Sequence, residues 1–134
     1  PGVRTDPSEA RAFVALTGVD GLAVAVGSSH AMTSKDAQLD LALIAELAVA
    51  VPVPLVLHGS SGVSTSMLLD AVAAGIRKVN VGTALSVAFS AAVRDYLAAN
   101  PAASDPRGYL GAARDAVALA VSELAEHFSK EHHD

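Results

Sequence analysis

A chain of 134 residues, 51% of them hydrophobic and 17% charged, has the size and composition of one ordinary globular domain with a core of its own. The net charge of −5, with no Lys/Arg cluster, argues against a nucleic-acid-binding surface. The lack of cysteine removes a disulfide framework, a thiolate-held zinc and a thiol nucleophile. The longest apolar run, residues 41–51, is interrupted by Glu46 and stopped by Pro52, far short of a membrane span, and no stretch reads as a targeting segment. These features predict a cytoplasmic protein. The chain opens on Pro1 rather than Met, so we expect a segment of something longer; the His132-His133 end carries no argument.

In chain order, Asp6-Pro7-Ser8-Glu9 predicts a helix start, with Asp6 as cap, Pro7 in the first turn and Glu9 completing a box-like exchange. That helix runs to about Leu16 and closes at Thr17-Gly18. The Val-rich run from Gly21 to Gly27 is too short for a lone helix and predicts a buried parallel strand. A loop follows, Ser28-Ser29-His30-Ala31-Met32, and Asp40 caps a helix over 41–50. Pro52-Val53-Pro54 leads into a second strand, Leu55-Val56-Leu57, ending at His58. Ser64 caps a helix over 65–74 that Gly75 stops. Lys78-Val79-Asn80-Val81 predicts the third strand, ending in Gly82-Thr83. A longer helix over 84–99 stops at Asn100-Pro101, and Asp105-Pro106 starts a last one reaching to near Phe128.

Strands alternating with helices predict crossover connections and a parallel sheet, with Gly27, Gly59 and Gly82 marking the three strand ends. Three strands cannot close a barrel, which takes roughly 200 residues or more. The fold is therefore a small open α/β domain or the back part of a (β/α) barrel.

In open and closed α/β folds alike, the C-terminal strand ends carry the site. His30 and His58 each fall just past such an end, and two imidazoles there suit a shared metal such as zinc. Singly, each is an ordinary polar loop residue. A catalytic zinc takes about three protein ligands, and His127, His132 and His133 belong to the tail of the last helix. The turns Gly59-Ser60-Ser61-Gly62 and Gly82-Thr83 have the composition of a phosphate site, because glycine admits a close approach and hydroxyls and helix starts favour an anion. Asn80 inside a Val-Asn-Val run needs a partner: either a neighbouring loop or a substrate oxygen. Ser60 and Ser61 lack the setting of a nucleophile. Lys78 is expected at the opposite end of its strand, in a stabilising role. By spacing alone Arg107 is a surface cation.

Taken together, Thr17-Gly18-Val19-Asp20 running into Leu22–Gly27 and His30, Pro54–Gly59 with Ser61-Gly62, Lys78–Thr83, Ala88-Phe89, and Asn100-Pro101 followed by Asp105-Pro106-Arg107 resemble the class II, metal-dependent ketose-bisphosphate aldolases. The resemblance implies a partial TIM (β/α)8 barrel, with residues 1–134 forming the C-terminal part of one barrel domain: parallel strands 6–8, flanking helices and a C-terminal helical extension. It implies Zn2+ held by His30 and His58, together with a monovalent cation, Na+ or K+. Substrate and phosphate contacts fall to Ala31, Gly59, Ser60, Ser61, Asn80, Val81, Gly82 and Thr83, with Asn80 the catalytic residue at the enediolate oxygens and Arg107 reaching a phosphate, in some members across a subunit boundary. The implied reaction is reversible aldol cleavage of a fructose or tagatose 1,6-bisphosphate to dihydroxyacetone phosphate and glyceraldehyde 3-phosphate, in a dimer or tetramer that binds neither nucleic acid nor membrane.

The departures are specific. Ala31 stands where the family usually has glycine, and Ala84 where it has glutamate. The family's His-x-x-Asp-His-type segment, source of the general-base aspartate and the remaining zinc histidine, has no counterpart and is expected upstream of Pro1. The segment alone is accordingly expected to be inactive. Two other readings stay open: a sugar-phosphate-binding module without chemistry, and a phosphate-using TIM-barrel enzyme without metal.

Overall fold

A computed structural model of the chain describes residues 3–28 and 37–129. They form two compact units, Pro1–Val81 and Gly82–Asp134.

The first unit runs α1 (Pro7–Thr17), β1 (Leu22–Val24), α2 (Leu41–Ala50), β2 (Leu55–Leu57), a single 3-10 turn (Ser60–Gly62), α3 (Thr65–Ala74) and β3 (Ile76–Val79). Its strands lie in the order β1-β2-β3, all parallel. The predicted α/β architecture is present, and it is that of a partial barrel of the kind closed by eight such units.

Helix starts follow from their capping residues. Asp6 accepts the backbone N–H groups of Ser8 (2.8 Å) and Glu9 (3.0 Å). The added side-chain bond to Asp6 comes from the Ser8 hydroxyl at 2.5 Å. Asp40 accepts Leu43 N–H at 3.0 Å and Ser64 accepts Met67 N–H at 3.3 Å. Each satisfies an N–H that a helix start leaves without an intrahelical acceptor.

The strands differ from expectation at both edges. The first is three residues long, Leu22–Val24, because the chain beyond it bonds elsewhere. Ala25 N–H donates to Thr5 Oγ1 (2.8 Å), its carbonyl accepts Thr5 N–H (3.0 Å), and Val26 O accepts Asp40 N–H (2.8 Å). The third strand is Ile76–Val79 rather than 78–81. An irregularity opposite Leu55/Val56 pairs Leu55 with Ile76 and Val56 with Lys78, so Arg77 is skipped and the strand starts directly after Gly75. Gly75 is required by close approach: with φ at 136°, a Cβ there would also meet the Ala48 side chain of α2 at 2.5 Å.

The core gathers on one side of the sheet. Leu55, Leu57 and Ile76 from the strands, Ile44 and Leu47 from α2, and Leu68 and Ala71 from α3 are all buried, and α1 packs on α2, α2 on α3, and α3 on β3. By register, Ala23, Val56 and Lys78 share the other face, which is more open.

The second unit is a pair of helices, α4 (Thr83–Ala99) and α5 (Pro106–Ser129), packed on each other. Ala113 is fully buried, whereas Val87, Leu110, Leu119 and Val121 are exposed. No helix of the described residues is long and apolar enough to cross a membrane.

Truncating a fully buried strand residue should empty space that the close-packed interior cannot refill. Leu57→Ala is expected to lower unfolding stability by about 2–5 kcal/mol, and half-buried Val56→Ala by visibly less, in denaturant titrations.

Candidate active site

β2 delivers His58 to the C-terminal end of the sheet. The next residue, Gly59, sits at φ 68°, ψ 24°, a left-handed conformation that glycine adopts without a Cβ penalty. This reversal ends the strand on an imidazole and opens the 3-10 turn. The sequence indicates a glycine-serine turn here but not that it closes as a turn of 3-10 helix.

Three strand ends are tied together at this rim. Ser28, beyond β1, donates its hydroxyl to the His58 carbonyl at 2.5 Å. Ser60, only 4% exposed, donates to the Asn80 carbonyl at 2.7 Å. Asn80 N–H in turn donates to Leu57 O at 3.0 Å, extending the ladder by one bond past β3. Asn80 thus lies just beyond the strand rather than inside it, with its side chain half-buried at the rim.

The Asn80 amide nitrogen is 3.3 Å from His58 Nε2, and Lys78 Nζ donates to Asn80 Oδ1. Lys78 therefore does not belong to the far end of its strand. It is the third of four residues, and its long side chain reaches the C-terminal rim. Lys78 was expected to stabilise the opposite end of its strand, and Ser28 did not stand out in the sequence. A lysine in a strand and a serine in a loop carry no local signal of such partners.

The exposed His58 lines a cleft of about 270 Å³ with Ala23, Val24, Ala25 and Ser28. Of the predicted site residues, His58, Ser60 and Asn80 come together here. Gly59 and Ser61 flank them, both half-buried. His30 and Ala31 lie outside the described residues. Val81 ends the first unit, while Gly82 and Thr83 open the second, exposed at the start of α4. Gly82 makes no side-chain cap, its φ of −131° is open to any residue, and a Cβ there would meet nothing within 4 Å. Packing within the chain therefore does not require glycine at that position.

Arg107 also belongs to the second unit. Its guanidinium pairs with the Asp105 carboxylate through Nε (3.0 and 2.9 Å) and NH2, and its backbone N–H donates to Asp105 Oδ1 at 3.0 Å. The Arg107 side chain is 90% exposed. The guanidinium bonds, with the backbone N–H second, hold the Asp105 carboxyl below the usual carboxylate range, and the same pairing raises Arg107.

Among the described residues, no cluster of three or more His, Cys, Asp or Glu side chains is placed to hold a metal ion. His58, an imidazole at a strand end beside an open cleft, fits as one ligand of a zinc site and does not complete one.

A partial parallel (β/α) barrel with its polar residues gathered where the strands end is the architecture of the TIM-barrel enzymes. The chain belongs to the class-II fructose-bisphosphate aldolase family, whose profile matches residues 2–133. It is similar to the YdjI aldolase of Escherichia coli K12, with 35% identity, a TM-score of 0.81, and 93% of this chain covered against 46% of that one. It is also similar to a candidate fructose-1,6-bisphosphate aldolase from Coccidioides immitis, at 28% identity and a TM-score of 0.75, covering 97% of this chain and 46% of the other. A fructose-bisphosphate aldolase from Campylobacter jejuni, 21% identical, shares the fold with a TM-score of 0.74, covering 92% of this chain and 45% of that one. The chain thus spans a little under half the length of these relatives.

Two outcomes follow from the bonds described. Ser60→Ala removes a buried donor and leaves the Asn80 carbonyl without it, so stability should fall by about 1–3 kcal/mol in denaturant melts. The carboxyl carbon of Asp105 should titrate with a midpoint below 3.8, moving back toward that value in Arg107→Ala. Because the folded pKa is depressed, any stability from this pair is intact above the unfolded carboxylate value. It is lost as pH falls through the lower folded one.

Proposed function

We propose that this chain is the metal- and phosphate-holding part of an aldolase that cleaves a ketose 1,6-bisphosphate to dihydroxyacetone phosphate and glyceraldehyde 3-phosphate. The observation that carries this reading is the meeting of His58 and Asn80, 3.3 Å apart at adjacent strand ends beside an open cleft. An imidazole ligand and an amide donor side by side are what an enzyme needs to hold a ketone and its neighbouring hydroxyl in one orientation.

His58 would contribute one zinc ligand and His30 a second. The ion, when bound, supplies Lewis-acid polarisation of the substrate oxygens. Asn80 donates its amide N–H to a substrate oxygen that gains negative charge as the carbon–carbon bond breaks, a contact that strengthens toward the transition state. Gly59 and Ser61 would contact the phosphate of the dihydroxyacetone end; Val81 in the first unit, and Gly82 and Thr83 in the second, are each proposed as phosphate contacts as well. Glycine at 59 and at 82 supports these assignments, since neither position sets a side chain in the way of an anion. The Ser60 hydroxyl already serves the Asn80 carbonyl and contributes through that anchor. Arg107 would exchange Asp105 for a phosphate.

The proton-transferring aspartate and the third zinc ligand are not among these residues, because the sequence holds no His-x-x-Asp-His segment. The 134 residues alone are therefore proposed to be inactive, and both units to belong to one barrel domain. The exposed apolar residues of α4 and α5 support a homo-oligomeric assembly, and the enzyme is proposed to work in the cytoplasm.

In the whole enzyme, His58→Ala should reduce bound zinc and lower fructose 1,6-bisphosphate cleavage by about a thousandfold or more, corresponding to the several kcal/mol of Lewis-acid stabilisation. Elemental analysis alongside a coupled assay measures both. Unchanged zinc and turnover would overturn the assignment.

A further inference from the structure

We propose that Lys78 is a positioning residue that fixes the polarity of the Asn80 amide, so that its N–H donor, and never its carbonyl oxygen, faces His58. The argument rests on what each group is able to do. A lysine ammonium has donors and no acceptor, so the Asn80 atom it meets must be the amide oxygen. A primary amide has its two ends opposed, and with Oδ1 taken by Lys78 the other end is Nδ2, which lies 3.3 Å from His58 Nε2. An amide nitrogen only donates, so His58 Nε2 accepts, and the ring's proton in the neutral form sits on Nδ1.

Without Lys78, either end of the amide satisfies the imidazole. Nδ2 can donate to a bare Nε2, or Oδ1 can accept from Nε2–H, and a half-turn of the amide together with a tautomer change interconverts the two. The ammonium removes the second arrangement, because turning the amide would set two donors against each other. The main-chain bonds of Asn80 keep its backbone in place meanwhile, through Ser60 Oγ and Leu57 O. The choice Lys78 makes is therefore one of side-chain polarity.

This orientation serves the reading given above in two ways. The Nε2 lone pair it keeps free of a proton is one a metal could take in place of the amide, and the Nδ2 donor so released is the one a substrate oxygen would use. That use rests on the proposed aldolase function. The orientation itself does not, and it is measured without turnover.

The test uses the full chain labelled with 15N and reads the spectra of the neutral ring. Long-range 1H–15N spectra of His58 should show Nε2 as the unprotonated acceptor and Nδ1 as the protonated nitrogen. In Lys78→Met, which keeps the aliphatic stem, His58 Nε2 should shift toward the protonated region and the Asn80 side-chain amide should move with it. Lys78→Arg, again a donor without an acceptor, should restore the wild-type positions. Asn80→Asp, which offers Nε2 only acceptor oxygens, should place the proton on Nε2 whatever stands at 78. A wild-type pattern in Lys78→Met, or failure of Lys78→Arg to restore it, would overturn the proposal. So would an unprotonated Nε2 in Asn80→Asp.

Discussion

Where parallel strands end together, the last carbonyls have lost the next rung of the ladder and still require a donor. At this rim two hydroxyls supply it, Ser28 to the His58 carbonyl and Ser60 to the Asn80 carbonyl. The arrangement of the site depends on that requirement. Because the backbones of residues 58 and 80 are each held by a donor from another loop, their side chains leave the rim from fixed points, and an imidazole and an amide come within 3.3 Å. A hydroxyl spent in this way is not spent on a ligand. The buried Ser60, read from the sequence as a phosphate contact, acts first on the backbone of Asn80.

The same division of labour runs through the other polar residues. Asn80 has its main chain in the structural network and its amide facing the functional one, while Lys78 connects the outward face of β3 to the rim. Arg107 is engaged with Asp105 at the start of its own helix. The pair is strongly exposed, so it lends little to stability and leaves the guanidinium available to a stronger anion. Gly59 supplies a reversal that other residues adopt only with strain, whereas Gly82 meets no such demand from its own chain.

Helix starts were the most legible feature of this chain. Asp6, Asp40, Ser64 and Asp105 each precede their helix by one residue and bond to N–H groups two or three residues on, which the linear order displays directly. The strands were legible as apolar runs but not in extent. β1 stops after Val24 because Thr5 and Asp40 take the next backbone groups, and β3 begins at Ile76 because the sheet skips Arg77. Ile76 is followed at once by the charged pair Arg77-Lys78, which breaks the apolar run, and the strand was expected two residues downstream, over 78–81.

The sequence by itself determined the α/β alternation, the helix caps, and that an imidazole follows the second strand, along with the family to which those motifs belong. All of these rest on interactions between near neighbours or on residue order. Only the tertiary structure decided that Ser28 holds His58, that Ser60 is a buried strut, and that Lys78 sets the amide of Asn80 against the histidine ring. The bonds from Ser28 to His58, Ser60 to Asn80 and Asn80 to His58 join residues 30, 20 and 22 positions apart. Such partners are chosen by strand register, and a single irregular pairing opposite Leu55 and Val56 moves every one that follows it.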